Sequence, residues 1–241
     1  MGMVYKARHV LIDKPVAIKI LRKEAAQDTA SVQRFIQEAK SASKINHSNI
    51  VDITDFGVLP DGHAYFVMEF LQGQTLAQAI QDGPMDPIRV CVIGAQMARG
   101  LHAAHQKGIV HRDVKPANIF VCRYGLDLDF VKVLDFGLVK GDPPGLEHQS
   151  LTREGAHTGT PAFLPPEIAL GKVAEADGRA DLYGLGCVAY WLLTGKLVFP
   201  LGPSLQMIAA HAHDKPELPS RRGGVTVPAA LETIVMQLLA K

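Results

Sequence analysis

Directly after the apolar Gly108-Ile109-Val110, the chain reads His111-Arg112-Asp113-Val114-Lys115-Pro116-Ala117-Asn118. A polar loop of this density suits a site where a carboxylate accepts a proton and a nearby cation meets phosphate. Behind Val131, Val133 and Leu134 stands Asp135-Phe136-Gly137, placed 22 residues after Asp113. A carboxylate at a strand end, followed by glycine, can present oxygen to a hard cation such as Mg2+. Alone this triplet is an ordinary turn; its place behind the first motif gives it weight. The third group is Val16-Ala17-Ile18-Lys19, with Glu38 further on. A strand lysine paired to a helix carboxylate can hold phosphate oxygens while staying charged, although the same pair suits a structural ion pair.

The pattern around these motifs divides the chain. Val4 to His9 and Val16 to Leu21 alternate as half-buried strands, with Ala17, Lys19 and Leu21 on one face. Val32, Phe35, Ile36, Ala39 and Ala42 predict a helix over 31–45, and Glu38 borders its apolar stripe, which invites a partner. Strands follow at Ile50 to Val58 and Ala64 to Phe70. From Thr75 the pattern turns helical, with a helix opened by Asp86 and Pro87 that runs to about Lys107 and stops at Gly108. Short strands flank Cys122 and Val133. The span 138–166 reads as a long loop, and beyond Asp181 the chain is helical again. A β-rich first third and a helical remainder imply two lobes with a hinge near Glu69 to Gln72.

Composition narrows the function. With 25 Lys+Arg against 24 Asp+Glu, the net charge is +1, so no general nucleic-acid surface is expected. The apolar run Leu182 to Leu193 is short of the roughly 20 residues that span a bilayer and reads as a buried helix; no membrane segment is expected within this chain. Cys91, Cys122 and Cys187 lie far apart, and no secretory leader is visible, so a reducing, cytoplasmic setting is expected, or the cytoplasmic part of a longer membrane protein. His102 and His105 fall on one helix without a carboxylate or cysteine set at ligand spacing, and no metal role is expected of them.

In chain order these residues resemble the protein kinase superfamily: strand Lys19, helix Glu38, a hinge after Glu69, the His-Arg-Asp loop, Asn118, Asp-Phe-Gly, Pro165-Pro166-Glu167 in place of Ala-Pro-Glu, and the Asp181-Leu182-Tyr183-Gly184-Leu185-Gly186 helix start. Lys115, two residues after Asp113, is similar to the serine/threonine branch, and the loop wording resembles bacterial kinases of the eukaryotic-like type. The resemblance implies an α+β, bilobal kinase-like fold: a small β-rich N-lobe with one helix over 1–70 and a larger, mainly helical C-lobe over 71–241. It implies transfer of the γ-phosphoryl of ATP to Ser/Thr hydroxyls of proteins, with Mg2+. Asp113 would accept the hydroxyl proton and Lys115 would steady the phosphoryl. Asn118 and Asp135 would hold Mg2+. Lys19, braced by Glu38, would contact phosphates. Gly2 belongs to the phosphate loop, Val4 and Ala17 would sandwich adenine, Met68 would be the gatekeeper, and the backbone from Glu69 to Leu71 would bond the adenine edge. Arg112 would pair with a phosphorylated residue, Thr152 or Thr158 ahead of Ser150, through self-association for autophosphorylation. Thr160 matches the family's substrate-loop threonine.

Departures from the family pattern stand beside this. Of G-x-G-x-x-G-x-V only Gly2 and Val4 remain, so Met1 reads as an internal methionine taken as a start, with the first strand missing. The last helices of the C-lobe are expected to be missing too, with the arginine that would pair Glu167. Residues Tyr124 to Asp127 read as a tolerable hairpin insertion. The alternative reading is a catalytically silent kinase-like binding or scaffold module, or a fragment; only the partial glycine loop and the cut ends favour it.

Overall fold

A computed structural model describes residues 2–26, 28–136, 161–222, 224 and 226–241. The alternation of the second strand decides the small lobe: Ala17, Lys19 and Leu21 are buried while Val16, Ile18 and Ile20 are half-buried. Four antiparallel strands form the sheet, in the order β1 (Met3–Arg8), β2 (Pro15–Ile20), β4 (Ala64–Glu69), β3 (Ile53–Val58). Pairing places Val4 and Phe66 opposite Lys19, and Lys6 and Met68 opposite Ala17. Directly opposed side chains share a face, so all six lie on the same side of the sheet.

The predicted helix is present as α2 (Thr29–Lys44), after a single turn α1 (Lys23–Ala26). Asp28 caps α2 by accepting from the backbone N–H groups of Ala30 and Ser31. Phe35 and Ala39 of this helix meet Leu21, Ala64 and Phe66 in a small core.

The strand expected from Ile50 begins only at Ile53. Residues 49–51 are drawn off to the large lobe instead: Val133 N–H donates to Asn49 O at 2.8 Å, Val51 N–H donates to Val133 O at 3.1 Å, and Ile50 bridges Val133 in parallel. That stitch ties the helix-to-strand loop of the small lobe to the strand leading to Asp135.

A second sheet of β5 (Gly73–Thr75), β6 (Ile119–Tyr124) and β7 (Asp127–Val133) lies on the large lobe. Below it, α3 (Leu76–Ala79), α4 (Pro87–His105), α5 (Pro166–Ala169), α6 (Gly178–Thr194), α7 (Ser204–His213), α8 (Pro219–Arg222) and α9 (Ala229–Leu238) surround a core that includes Met97, Leu101, Tyr190, Leu192 and Leu193. Asp86 caps α4 and Pro87 opens it, as read from sequence, but the helix ends at His105, ahead of Gly108 with φ 71°. Within the span 138–166 expected as loop, Pro161–Phe163 is a tight turn and α5 starts at Pro166, where a proline suits a first helical position. Helix α6 starts at Gly178, capped by Asp177, three residues earlier than expected, and Tyr190 is fully buried. No helix among the described residues is long and apolar enough to cross a membrane.

Candidate active site

Two carboxylate-centred groups face each other between the lobes, and a third, inside the large lobe, holds the lower one. On the upper side, Lys19 Nζ lies 2.5 Å from Glu38 Oε1 and 2.7 Å from Asp135 Oδ1. The elements fix this contact. Lys19 leaves the buried face of β2, Glu38 borders the apolar face of α2, and Asp135 stands two residues beyond β7. Burial raises Glu38, with the Asp135 charge adding to it against the pull of Lys19, and its carboxyl is pushed up to about 7. Burial acts against Asp135 too, but Lys19 and the Glu38 carboxyl win and hold it below the ordinary carboxylate range. Lys19 is disfavoured by burial, yet the two carboxylates hold it above the usual lysine value. The group therefore carries a positive ammonium beside a negative Asp135, whose side chain is 43% exposed and open to the cleft.

On the lower side, Lys115 Nζ donates to Asp113 Oδ2 at 2.6 Å, and Asn118 Nδ2 donates to the same oxygen at 3.0 Å and to Asp113 O at 2.9 Å. Pro116–Asn118 forms a 3-10 turn that swings Asn118 back beneath Asp113. The Asn118 amide nitrogen is thereby used, and its carbonyl oxygen is left to face other partners. Asp113 remains 37% exposed in its side chain, in reach of an incoming group.

Of the third group, only Asp181 was legible in sequence, as the head of a helix, and none of its partners. Asp181 of α6 is fully buried; its Oδ1 accepts from Arg112 N–H at 2.7 Å, and its Oδ2 accepts from His111 N–H at 2.9 Å and from His105 Nε2 at 2.7 Å. His105 thus has a structural partner, made possible by Gly178, where a Cβ would come within 2.8 Å of the His105 ring. Val114 presses on α6 as well, and a Cβ at Gly184 would meet it at 2.8 Å. Arg112 and Asp135 both adopt left-handed backbone, at φ 62° and 56°. Such residues cost on the order of 1–3 kcal/mol each and persist where their surroundings over-determine them; the Asp181 bond to Arg112 N–H is one such restraint. The signal that could have found this role of Asp181 is its place at the head of an otherwise apolar helix, since a buried carboxylate must be satisfied.

His111 joins the lower group to the upper one. Its Nδ1 accepts from Asp113 N–H at 3.2 Å, its Nε2 donates to Leu134 O at 2.8 Å, and its ring lies 4.7 Å from that of Phe136. A neutral imidazole with the proton on Nε2 satisfies both bonds.

At the expected hinge, Glu69 is anchored by its side chain. Its Oε1 takes a 2.6 Å bond from the buried Lys132 and a 2.9 Å bond from Asp52 N–H. Lys132, one residue before the end of β7, had drawn no attention in the sequence. Met68 and Leu71 are half-buried beside it, Ala17 is buried, and Val4 is exposed on β1. Gly2 sits against β2, where a Cβ would come within 2.6 Å of Ile20 O. Arg112 is buried next to Asp113, and its Nε and Nη2 have no partner among the described residues. Ser150, Thr152, Thr158 and Thr160 lie outside the described residues, as do Met1 and Gly137.

The sequence matches the protein kinase domain family over residues 1–230. It is 38% identical over 243 residues to the serine/threonine-protein kinase pkn3 of Myxococcus xanthus, covering all of this chain and 44% of that protein. It is 42% identical to Pkn1 of the same organism, covering 34% of it, and 39% identical to PrkC of Bacillus subtilis, covering 36% of it. The chain thus spans less than half the length of these relatives, each named a serine/threonine-protein kinase. With a β-sheet lobe set on a helical one and the family match running through both, the chain belongs to the protein kinase domain family.

Proposed function

We propose that this chain transfers the γ-phosphoryl of ATP to serine or threonine hydroxyls of proteins. The observation that carries the reading is the arrangement around Asp113: a partly exposed carboxylate, backed by Lys115 and Asn118, below a cleft whose other wall holds Lys19 between two carboxylates. The acceptor oxygen attacks the γ-phosphorus, the bond from that phosphorus to the β,γ-bridging oxygen breaks, ADP leaves, and the hydroxyl proton passes to Asp113. Lys115, now bonded to Asp113, is within a side chain's swing of the transferred group. Lys19 supplies charge to the phosphates that stay behind. Adenine would lie between Val4 and Ala17, with Met68 behind it and the backbone of Glu69 to Leu71 at its edge. Positioning and charge neutralisation carry the rate.

The residues fit Mg2+. Asp135 offers a carboxylate open to the cleft, and Asn118 offers a carbonyl oxygen freed by the use of its amide nitrogen. Two hard oxygens leave the remaining positions to phosphate oxygens and water, as is usual for this ion. When bound there, Mg2+ neutralises phosphate charge.

Regulation belongs to the same reading. Arg112 would receive a phosphate from Thr152 or Thr158, deposited by a second copy of the chain; its buried Nε and Nη2, without a partner among the described residues, support this reading. Phosphopeptide mapping of active protein should find one of these threonines modified, and finding neither would remove the regulatory reading.

The test is phosphotransfer from labelled ATP to a basic protein and to the chain itself. Asp113→Asn should lower the rate by about 10²–10⁴ while ATP with Mg2+ still raises the melting temperature. Equal rates in both forms would overturn the assignment of Asp113. Silence in both, with the melting shift retained, would favour the binding-module reading.

A further inference from the structure

The turn Pro161–Phe163 packs on the helix Ser204–His213, which carries one half of a buried polar pair that the mechanism above does not use. Helix α7 packs on this turn and on α5. Its His211 is fully buried, with Nδ1 2.9 Å from the hydroxyl of Tyr183 on α6 and its ring edge-on to Phe199 at 4.9 Å. Lys241 Nζ, which can only donate, contacts the Tyr183 oxygen at 2.9 Å, so the tyrosine proton is free for His211 Nδ1. The imidazole proton then sits on Nε2, enclosed and without a close partner among the described residues. Burial, aided by Lys241, lowers His211 to about 4, while the Ala162 backbone pulls the other way. With Nδ1 accepting from Tyr183 the ring is neutral, and α7 carries it on the helix that packs against the 161–163 turn. Ala162 itself is buried, and Phe163 beside it makes an edge contact with Trp191 of α6.

Asp181 and Tyr183 are two residues apart on α6, about 200° around the helix. One side of α6 fixes the backbone of the Asp113 loop and the other reaches α7 and, through it, the turn at 161–163.

We propose that Tyr183 and His211 are positioning residues for the protein acceptor: the pair sets the seat of residues 161–163 relative to Asp113, and so controls acceptor binding without touching ATP. This rests on the phosphotransfer reading, because 161–163 follows directly on Thr160, the residue that resembles the family's substrate-loop threonine.

The experiment compares Tyr183→Phe, His211→Phe and His211→Asn with the unaltered chain. Tyr183→Phe and His211→Phe should each raise KM for a basic protein acceptor by about threefold to tenfold, the range set by one net hydrogen bond, with KM for ATP and kcat within about twofold. The double variant should be no worse than the singles. His211→Asn, which keeps an acceptor near the Nδ1 position, should recover most of the loss. A KM for ATP that moves in step with that for the acceptor, or no change in either, overturns the proposal. A parallel anisotropy titration with a basic peptide, its serine replaced by alanine, reads acceptor binding without turnover. If the unaltered chain transfers no phosphate, the phosphotransfer reading fails, and this titration still decides the proposal: weaker binding by both variants supports it and equal binding overturns it. Should His211→Phe not fold, Tyr183→Phe, which removes a single oxygen, carries the same comparison.

Discussion

Glu38, half-buried, and Asp181, fully buried, are carboxylates that brace the two sides of one cleft, and they are satisfied in opposite ways. Asp181 is bonded by two backbone N–H groups and by His105, all within the large lobe. Glu38 is bonded by a side chain alone, that of Lys19 from β2, which also holds Asp135 beyond the end of β7. Backbone bonds into a helix that is itself core leave Asp181 one arrangement. The Glu38 group depends on where α2 sits, and α2 rests on a small core that, among the described residues, has five buried members, Leu21, Phe35, Ala39, Ala64 and Phe66. The wall around Asp113 is thus built as fold, while the wall around Lys19 is built as a contact. Contacts between side chains can be remade by small shifts of an element, which makes the upper wall the natural place for control.

The largest break in this comparison comes from the contact side. Lys19→Met should lower the phosphotransfer rate by about 10²–10³, the loss seen when one preorganised charge donor is removed from a transition state. It should also shrink the melting shift produced by ATP with Mg2+, yet leave the free chain folded, because Glu38 can take up a proton in place of its partner. A free chain that unfolds in this variant would put Lys19 among the fold-determining residues and erase the contrast.

Asp181→Ala should do the reverse. It strands three donors, the buried His111 and Arg112 N–H groups and the half-buried His105 Nε2, and should destabilise the chain by about 2–4 kcal/mol. Denaturant unfolding reads this directly. Glu38→Gln, which keeps shape and an acceptor, should cost less than half as much at pH 7. Equal losses would mean that both carboxylates are structural in the same sense.

This contrast also sorts what the sequence could tell. Lys19, Glu38, Asp113, Asn118 and Asp135 were legible because they belong to ordered short motifs, and their assembly between two lobes followed from a β-rich third ahead of a helical remainder. The roles of Asp181, His105, Lys132 and His211 were not. Their partners are backbone groups or side chains far along the chain, and a bond from Asp181 to N–H groups about 70 residues away leaves no periodicity to read. The misplaced start of β3 has the same origin: Ile50 and Val51 have strand composition, but the edge they pair with belongs to Val133 in the other lobe. Local pattern fixes element type; tertiary pairing decides where the element begins.

The smallest effect is a pH dependence in which the two lobes oppose one another. Glu38 is raised to about 7 when folded, against 4.5 for the free side chain. Between those values the folded chain holds a proton that the unfolded chain has released, so the stability linked to Glu38 is fully present below 4.5 and is lost as pH rises toward 7. His211 is lowered from 6.5 to about 4. Between these values the unfolded chain binds the proton and the folded chain does not, so this contribution is present above 6.5 and is lost as pH falls toward 4. Asp135, held low, matters only in more acidic solution, and Lys19, held high, only in more alkaline solution. Each of the two mid-range arms is at most about 3 kcal/mol, and they have opposite sign over nearly the same window. The unaltered chain should therefore show a shallow profile between pH 5 and 7. Glu38→Gln removes the falling arm, and unfolding free energy should then climb with pH across that window; His211→Asn removes the rising arm and should make it fall. Parallel profiles in the two variants would show that neither group titrates as its surroundings dictate, and the division into a contact wall and a fold wall would lose its electrostatic basis.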